Sequence, residues 1–201
     1  MENTDTYKTI EHPALGLYKE KGSKFISFAY PVSSETEIRE IIGRIKKEHH
    51  SARHHCFAWQ IRSDKPTFRI NDDGEPSGTA GRPIYSQIQH HDLTDILIIV
   101  VRYFGGILLG TSGLINAYKQ AAADVLAKSE IVEKIIETTI EINFDYQSMN
   151  EVMLLLKDFK LEMTDSRFDL VCSIKVSVRK QLVSILLEKL GKIENLKLTY
   201  L

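Results

Sequence analysis

Arg102 closes an unbroken apolar run, and the glycines after it, in "VRYFGGILLGTSGLINAYKQ", set a cation beside a tight turn and the start of a helix. Residue types in that order suit anion binding, because a helix N-terminus presents free amides to negative charge. From Gly105 to Ser112 the chain falls one residue short of the phosphate-loop pattern, since Thr111 stands where a lysine would reach the β- and γ-phosphates. No second acidic strand end supplies a magnesium-holding aspartate, so nucleotide hydrolysis is not expected. Two readings of the turn stay open. In one, the amides of Gly110 to Gly113 with the Thr111 and Ser112 hydroxyls hold an anion. In the other, Thr111 or Ser112 caps the helix, and Gly105, Gly106 and Gly110 only let the chain turn. Arg102 tilts the balance, because a guanidinium at the end of a buried strand calls for a carboxylate or phosphate partner.

A second polar cluster, "RINDDGEPSGTAGRP", brings Asp72, Asp73 and Glu75 close to Ser77, Thr79 and Arg82. Three carboxylates suit a magnesium ion or an acid/base pair; equally, Asp72 or Asp73 ties local amides in a polar turn. The histidines at 49, 50, 54, 55, 90 and 91 lack zinc-site spacing, and His54 and His55, adjacent on a strand, point to opposite faces. His55 shares the face of Phe57 and Trp59. Cys56 adjoins His55 without facing it, and no nucleophile elbow is present. Neither a metal nor a cofactor is called for. Lys24, Arg53, Arg82, Arg102 and Lys119, with Tyr103 and Phe104, fit a basic and aromatic surface for a phosphate backbone; the alternative is scattered solvated charge.

These residues must be carried by a globular frame. The chain has 201 residues, 43% of them hydrophobic, and a formal net charge of −1, so attraction to nucleic acid would have to come from a local patch. The longest apolar run, Ile96 to Val101, is too short to cross a bilayer and no secretory leader is evident, which predicts a cytoplasmic protein with Cys56 and Cys172 as reduced thiols. "GLYKEKGSKFISFAYPV" reads as a hairpin turning at Lys21, Gly22 and Ser23. "SSETEIREIIGRIKKEHH" reads as a helix opened by a Ser34–Glu37 capping box. "HHCFAWQIRSDKPTFRIN" supplies two strands turning at Ser63–Pro66, and "PIYSQIQHHD" a short helix before the buried strand "DILIIVVRYF". Leu114, Ile115, Tyr118, Ala121, Ala122 and Val125 mark the inner face of the next helix, which ends near Lys128.

From Ile131 the pattern restarts as βαββαβ: strand "EKIIETTIEINFDY", a helix opened by a Ser148–Glu151 capping box, two strands, a helix ended by Gly191, and a final strand. The expected domains are residues 1–130 and 131–201, without a flexible linker.

The stretch "GRPIYSQIQHHDLTDILIIVVRYFGGILLG", with "KGSKF", "SARHHCFAW" and "NDDGEPSGTAGRP" upstream, resembles the signature of the Impact/YigZ family, and the second half is similar to the second domain of its bacterial members. The resemblance implies an α+β chain: a ribosomal-protein-S5-domain-2-like domain followed by a ferredoxin-like one, a pair similar to the last two domains of elongation factor G. Eukaryotic members regulate translation by binding a ribosome-associated activator, and they carry an extra RWD domain that this sequence lacks. The motif positions carried over are Asp72, Glu75, Ser77, Gly81, Arg82, Arg102, Tyr103, Gly105, Gly106 and Gly110. Together, residues and resemblance predict a non-catalytic protein that binds RNA or a ribosome-associated protein, with Arg82, Arg102 and Lys119 facing the partner. Two alternatives remain: an enzyme related to GHMP-type kinases with magnesium on Asp72, Asp73 or Glu75, and a protein-interaction module. Pairing of Arg102 with Asp72 or Glu75 would favour the last. Oligomeric state is left open.

Overall fold

A computed structural model describes residues 5–62, 67–169 and 171–200. The expected turn at Ser63–Pro66 lies outside the described residues. The chain divides into two compact units, Lys8–Glu133 and a second formed by Lys134 onward together with the segment up to Tyr7. Strands β1 (Thr6–Ile10) and β7 (Ile131–Ile135) pair as a two-stranded ribbon, and along it the chain passes from one unit to the other.

In the first unit, β2 (Ala14–Glu20), β3 (Ser23–Pro31), β4 (His54–Ile61), β5 (Thr67–Asn71) and β6 (Ile96–Tyr103) form one sheet in the order β2-β3-β6-β4-β5. Every neighbouring pair is antiparallel. Lys21 and Gly22 both have positive φ (43° and 79°), the geometry of a two-residue hairpin turn whose twist matches its strands. Helix α1 (Glu35–Glu48) covers one face, packing Ile38, Ile41 and Ile45 against Trp59, Leu97 and Ile99. Helices α2 (Gly81–His90) and α3 (Gly110–Ala127) cover the other, where Ile84, Ile88, Leu114 and Ala121 meet Ile96, Ile98 and Val100.

Cover on both faces explains the unbroken apolar run of β6. Leu97, Ile99 and Val101 feed the α1 core while Ile96, Ile98 and Val100 feed the other, and all six are fully buried. Burying each aliphatic side chain contributes about 1.5–3 kcal/mol. The N-cap of α1 is Ser34, whose hydroxyl accepts from the Glu37 amide at 3.3 Å; the Glu37 carboxylate in turn takes the Ser33 amide at 2.8 Å, one residue before the capping-box position. Ile115 is exposed rather than on the inner face of α3.

The second unit runs β8 (Glu137–Asp145), α4 (Met149–Asp158), β9 (Met163–Phe168), β10 (Val171–Arg179), α5 (Lys180–Leu190) and β11 (Lys197–Tyr200), the βαββαβ order read from the sequence. Its sheet has the order β11-β8-β10-β9, and Ile140, Ile142, Ile174 and Val176 pack with Val152, Leu156 and Leu186 of the helices. Three local expectations are revised. The strand expected from Glu133 is two, β7 and β8, broken at Ile136. Ser148 caps nothing with its side chain; its hydroxyl donates to the Glu194 carbonyl at 3.4 Å. Gly191 ends α5 in a right-handed conformation (φ −65°), not the left-handed one of a C′ glycine. Asp5 accepts the Arg179 guanidinium, with a second contact at 3.1 Å, and so ties the N-terminal segment to this unit.

Candidate functional site

The site is assembled where β6 ends. Strand register places Arg102 opposite Phe25 of β3 and His54 of β4, and alternation sends its side chain to the α2/α3 face. Its guanidinium lies 5.6 Å from the ring centres of Phe25 and Phe104. One terminal N–H donates to Glu75 Oε1 at 2.6 Å, and both residues are more than nine-tenths buried. The Tyr118 hydroxyl of α3 donates to the same oxygen at 2.8 Å. Beneath it, the Cys56 thiol lies 3.3 Å from that hydroxyl and donates to the Asp72 carbonyl at 3.0 Å. Burial pushes the Cys56 thiol and the Tyr118 phenol far above their ordinary pKa values; the nearby Glu75 charge adds to both. Both groups stay protonated and act as hydrogen-bond partners rather than nucleophile or base.

Glu75 is held by the loop between β5 and α2, and Asp72 holds that loop. One carboxylate oxygen of Asp72 accepts from the amides of Ala80 (3.1 Å) and Gly81 (2.8 Å), the other from Gly78 (2.9 Å). Asp73 faces elsewhere: it takes Lys46 at 2.9 Å and the His55 amide at 2.7 Å. Burial raises the Asp73 carboxyl, but the Lys46 ammonium and the His55 contacts outweigh it and hold the group below the usual carboxylate range. The three carboxylates therefore do not converge on one ion, and among the described residues no group of metal ligands forms.

The glycine turn has distinct parts. A Cβ on Gly105 would sit 1.9 Å from the Gly22 carbonyl carbon, so the end of β6 can approach the β2–β3 hairpin only without a side chain. Gly106 and Gly110 have φ of +87° and +71°, which glycine adopts freely. Helix α3 begins at Gly110 after Leu109, with no side-chain cap and no acidic residue in its first turn. Thr111 and Ser112 are thus first-turn residues with exposed side chains, not caps, and the amides at this end are left open.

A pocket of about 410 Å³ opens between this helix start and the ion pair, with Arg102, Glu75, Gly110 and Thr111 at its polar end and Phe104, Leu108, Leu109 and Leu114 on its walls. Arg53, His54 and Pro76 complete it. Arg82, Ser112 and Lys119 are exposed and outside this lining, so of the three cations expected to face a partner, Arg102 alone lines the pocket. Tyr103 is separated from Arg102 by the sheet: it packs toward the α1 core and its hydroxyl meets His49 Nδ1 at 2.9 Å. Two participants were not marked as site residues in the sequence, Tyr118 and Cys56. A tyrosine amid alanines on the inner face of α3 is the usable signal, since a buried phenol needs a hydrogen-bond partner.

Around the pocket mouth Phe104, Ile107 and Leu108 are 51%, 55% and 84% exposed, a run of apolar side chains turned to solvent. No helix among the described residues is long and apolar enough to cross a membrane.

Residues 21–126 match the sequence model of the Impact N-terminal domain. Over 152 residues the chain is 38% identical to an IMPACT family member of Haemophilus influenzae, covering 74% of this chain and 73% of the relative. It is 31% identical over 160 residues to the IMPACT family member YigZ of Escherichia coli, covering 79% and 78%. A crystal structure described as that of a hypothetical protein superposes with a TM-score of 0.72 at 27% identity over 98% of both chains.

Proposed function

The chain belongs to the IMPACT family, and on that premise we propose that it is a non-catalytic, cytoplasmic protein of translation that binds a ribosome-associated protein through the β6–α3 turn. The observation that carries this is the pairing of Arg102 with Glu75 beneath an apolar rim. A phosphate backbone is gripped by uncompensated cations, whereas here the buried cation is neutralised and Phe104, Ile107 and Leu108 reach into solvent. Exposed apolar clusters of this kind serve protein contacts. The protonated state of Cys56 and Tyr118 supports a role without catalysis.

The βαββαβ order and its β11-β8-β10-β9 sheet support assigning the second unit to the ferredoxin-like class. The S5-domain-2-like assignment of the first unit rests on the family resemblance. We place the domain boundary at the β1–β7 ribbon.

Co-sedimentation of the full chain with ribosomes from its native cytosol, with and without RNase treatment of the captured material, tests the partner. The expected result is capture of a protein that survives RNase and is lost on Leu108→Asp, with Arg82→Ala and Lys119→Ala behaving as the parent. Loss of capture on RNase treatment, with a salt dependence flattened by Lys119→Ala, would replace the protein partner with RNA.

A further inference from the structure

The pocket beside the ion pair offers more than an apolar rim needs. Its polar end holds three groups without a protein partner among the described residues, of which the Arg102 Nε–H is buried. The 18-residue helix α3 starts without a cap, leaving open amides that favour negative charge. Arg102, 94% buried by the measure of its 6% exposure, gives one N–H to Glu75, and its Nε–H has no partner among the described residues. Glu75, equally enclosed, receives both of its hydrogen bonds on Oε1, which leaves Oε2 as an acceptor among the described residues. The remaining walls are the side chains of Phe104, Leu108, Leu109, Leu114 and Pro76, with Arg53 and His54 also in the lining.

A ligand that satisfies all of this carries a carboxylate, an N–H donor close to it, and an apolar body. A bare phosphate is a poorer match: Arg53 at the pocket edge can offset its second negative charge, but it brings no N–H for Glu75 Oε2 and no apolar body for the leucine walls. A simple hydrocarbon leaves the buried Arg102 Nε–H unmet and strips water from Glu75 Oε2 and the α3 amides without replacing it, which is costly. The volume of about 410 Å³ lies in the range of small-ligand sites, roughly 300–1,000 Å³. We propose that the pocket binds an apolar α-amino acid unit with a free carboxylate, supplied either as the free amino acid or as the C-terminal residue of a peptide. The carboxylate belongs at the α3 N-terminus and Arg102, the N–H at Glu75 Oε2, and the side chain against the leucines. Binding here goes beyond the partner contact and does not depend on it.

Titration calorimetry on the full purified chain tests this with L-leucine, L-phenylalanine, acetyl-glycyl-leucine and the C-terminal amide of each. The acids should bind, and amidation should weaken binding about tenfold or more, the scale of one charge-assisted hydrogen bond. Binding of the free amino acids without the acetylated dipeptide identifies the first source; the reverse identifies the second. Thr111→Asp places a negative charge in an exposed first-turn position where it favours the helix, so the fold persists while the acids should lose affinity about tenfold. Equal binding of acids and amides, no heat from any compound up to about 1 mM, or unchanged affinity in Thr111→Asp overturns the proposal. Because no ribosome is in the cell, a negative titration alongside successful co-sedimentation removes the ligand and leaves the protein partner standing.

Discussion

Arg102 and Glu75 meet at 2.6 Å with both side chains more than nine-tenths buried, and Tyr118 closes on the same Glu75 oxygen from the helix side. A strand end, a loop and a helix are thereby pinned at one point. The loop is brought there by the three amides that Asp72 accepts, so an aspartate with no role in the pocket itself determines where Glu75 stands.

Breaking this pair from one side should be far more damaging than removing it whole. Arg102→Ala or Glu75→Ala leaves an uncompensated buried charge and should cost about 3–5 kcal/mol, whereas Arg102→Met with Glu75→Gln, which keeps an acceptor for Tyr118, should cost less than either. Urea unfolding of the single and double variants measures this, and strict additivity would count against the pair as described.

Acidification should weaken the first unit partly through Asp73. Its folded pKa lies below the unfolded value, so its stabilising contribution is complete above about pH 3.9 and is lost as pH falls through the folded value. Unfolding midpoints followed from about pH 6 to pH 2.5 should fall less steeply in Asp73→Asn than in the parent. Identical slopes would place the acid sensitivity elsewhere.

Two glycine replacements should act in opposite directions. Gly43, exposed in the middle of α1 with open space where a Cβ would stand, should accept alanine with a gain of about 0.5–1 kcal/mol. Gly105→Ala drives a methyl into the backbone of Gly22 and Ser23 and should cost at least about 2 kcal/mol. Thermal unfolding of both variants gives the comparison directly.

Arg102 was legible in the sequence because its type conflicts with its place: a cation closing six aliphatic residues must find a partner. Which of three nearby carboxylates answers it was not, since Asp72, Asp73 and Glu75 share one loop, and only its folded path sends one to local amides, one to Lys46 and one to Arg102. Strand alternation is enough to set Tyr103 on the face opposite Arg102, yet their adjacency invites grouping them. The element order was readable throughout because amphipathic periods of two and 3.6 are local. Ends were less so: Ser148 has a capping residue's chemistry, but its hydroxyl bonds the Glu194 carbonyl instead, and Ile115 fits the helical period yet stays exposed.

The central position of β6 has a consequence for synthesis. Its neighbours β3 and β4 both precede it in the chain and cannot pair with each other, because β6 must enter between them. A nascent chain that has not yet emerged past Tyr103 can form the β2–β3 and β4–β5 hairpins only as separate, half-covered ribbons. Closing the sheet then joins partners 36 to 79 residues apart, as in Gln60 with Ile96 and Lys24 with Tyr103. Long-range closure of that kind is slow relative to local structure, so the first unit acquires its core late and cooperatively, as the apolar strand is inserted.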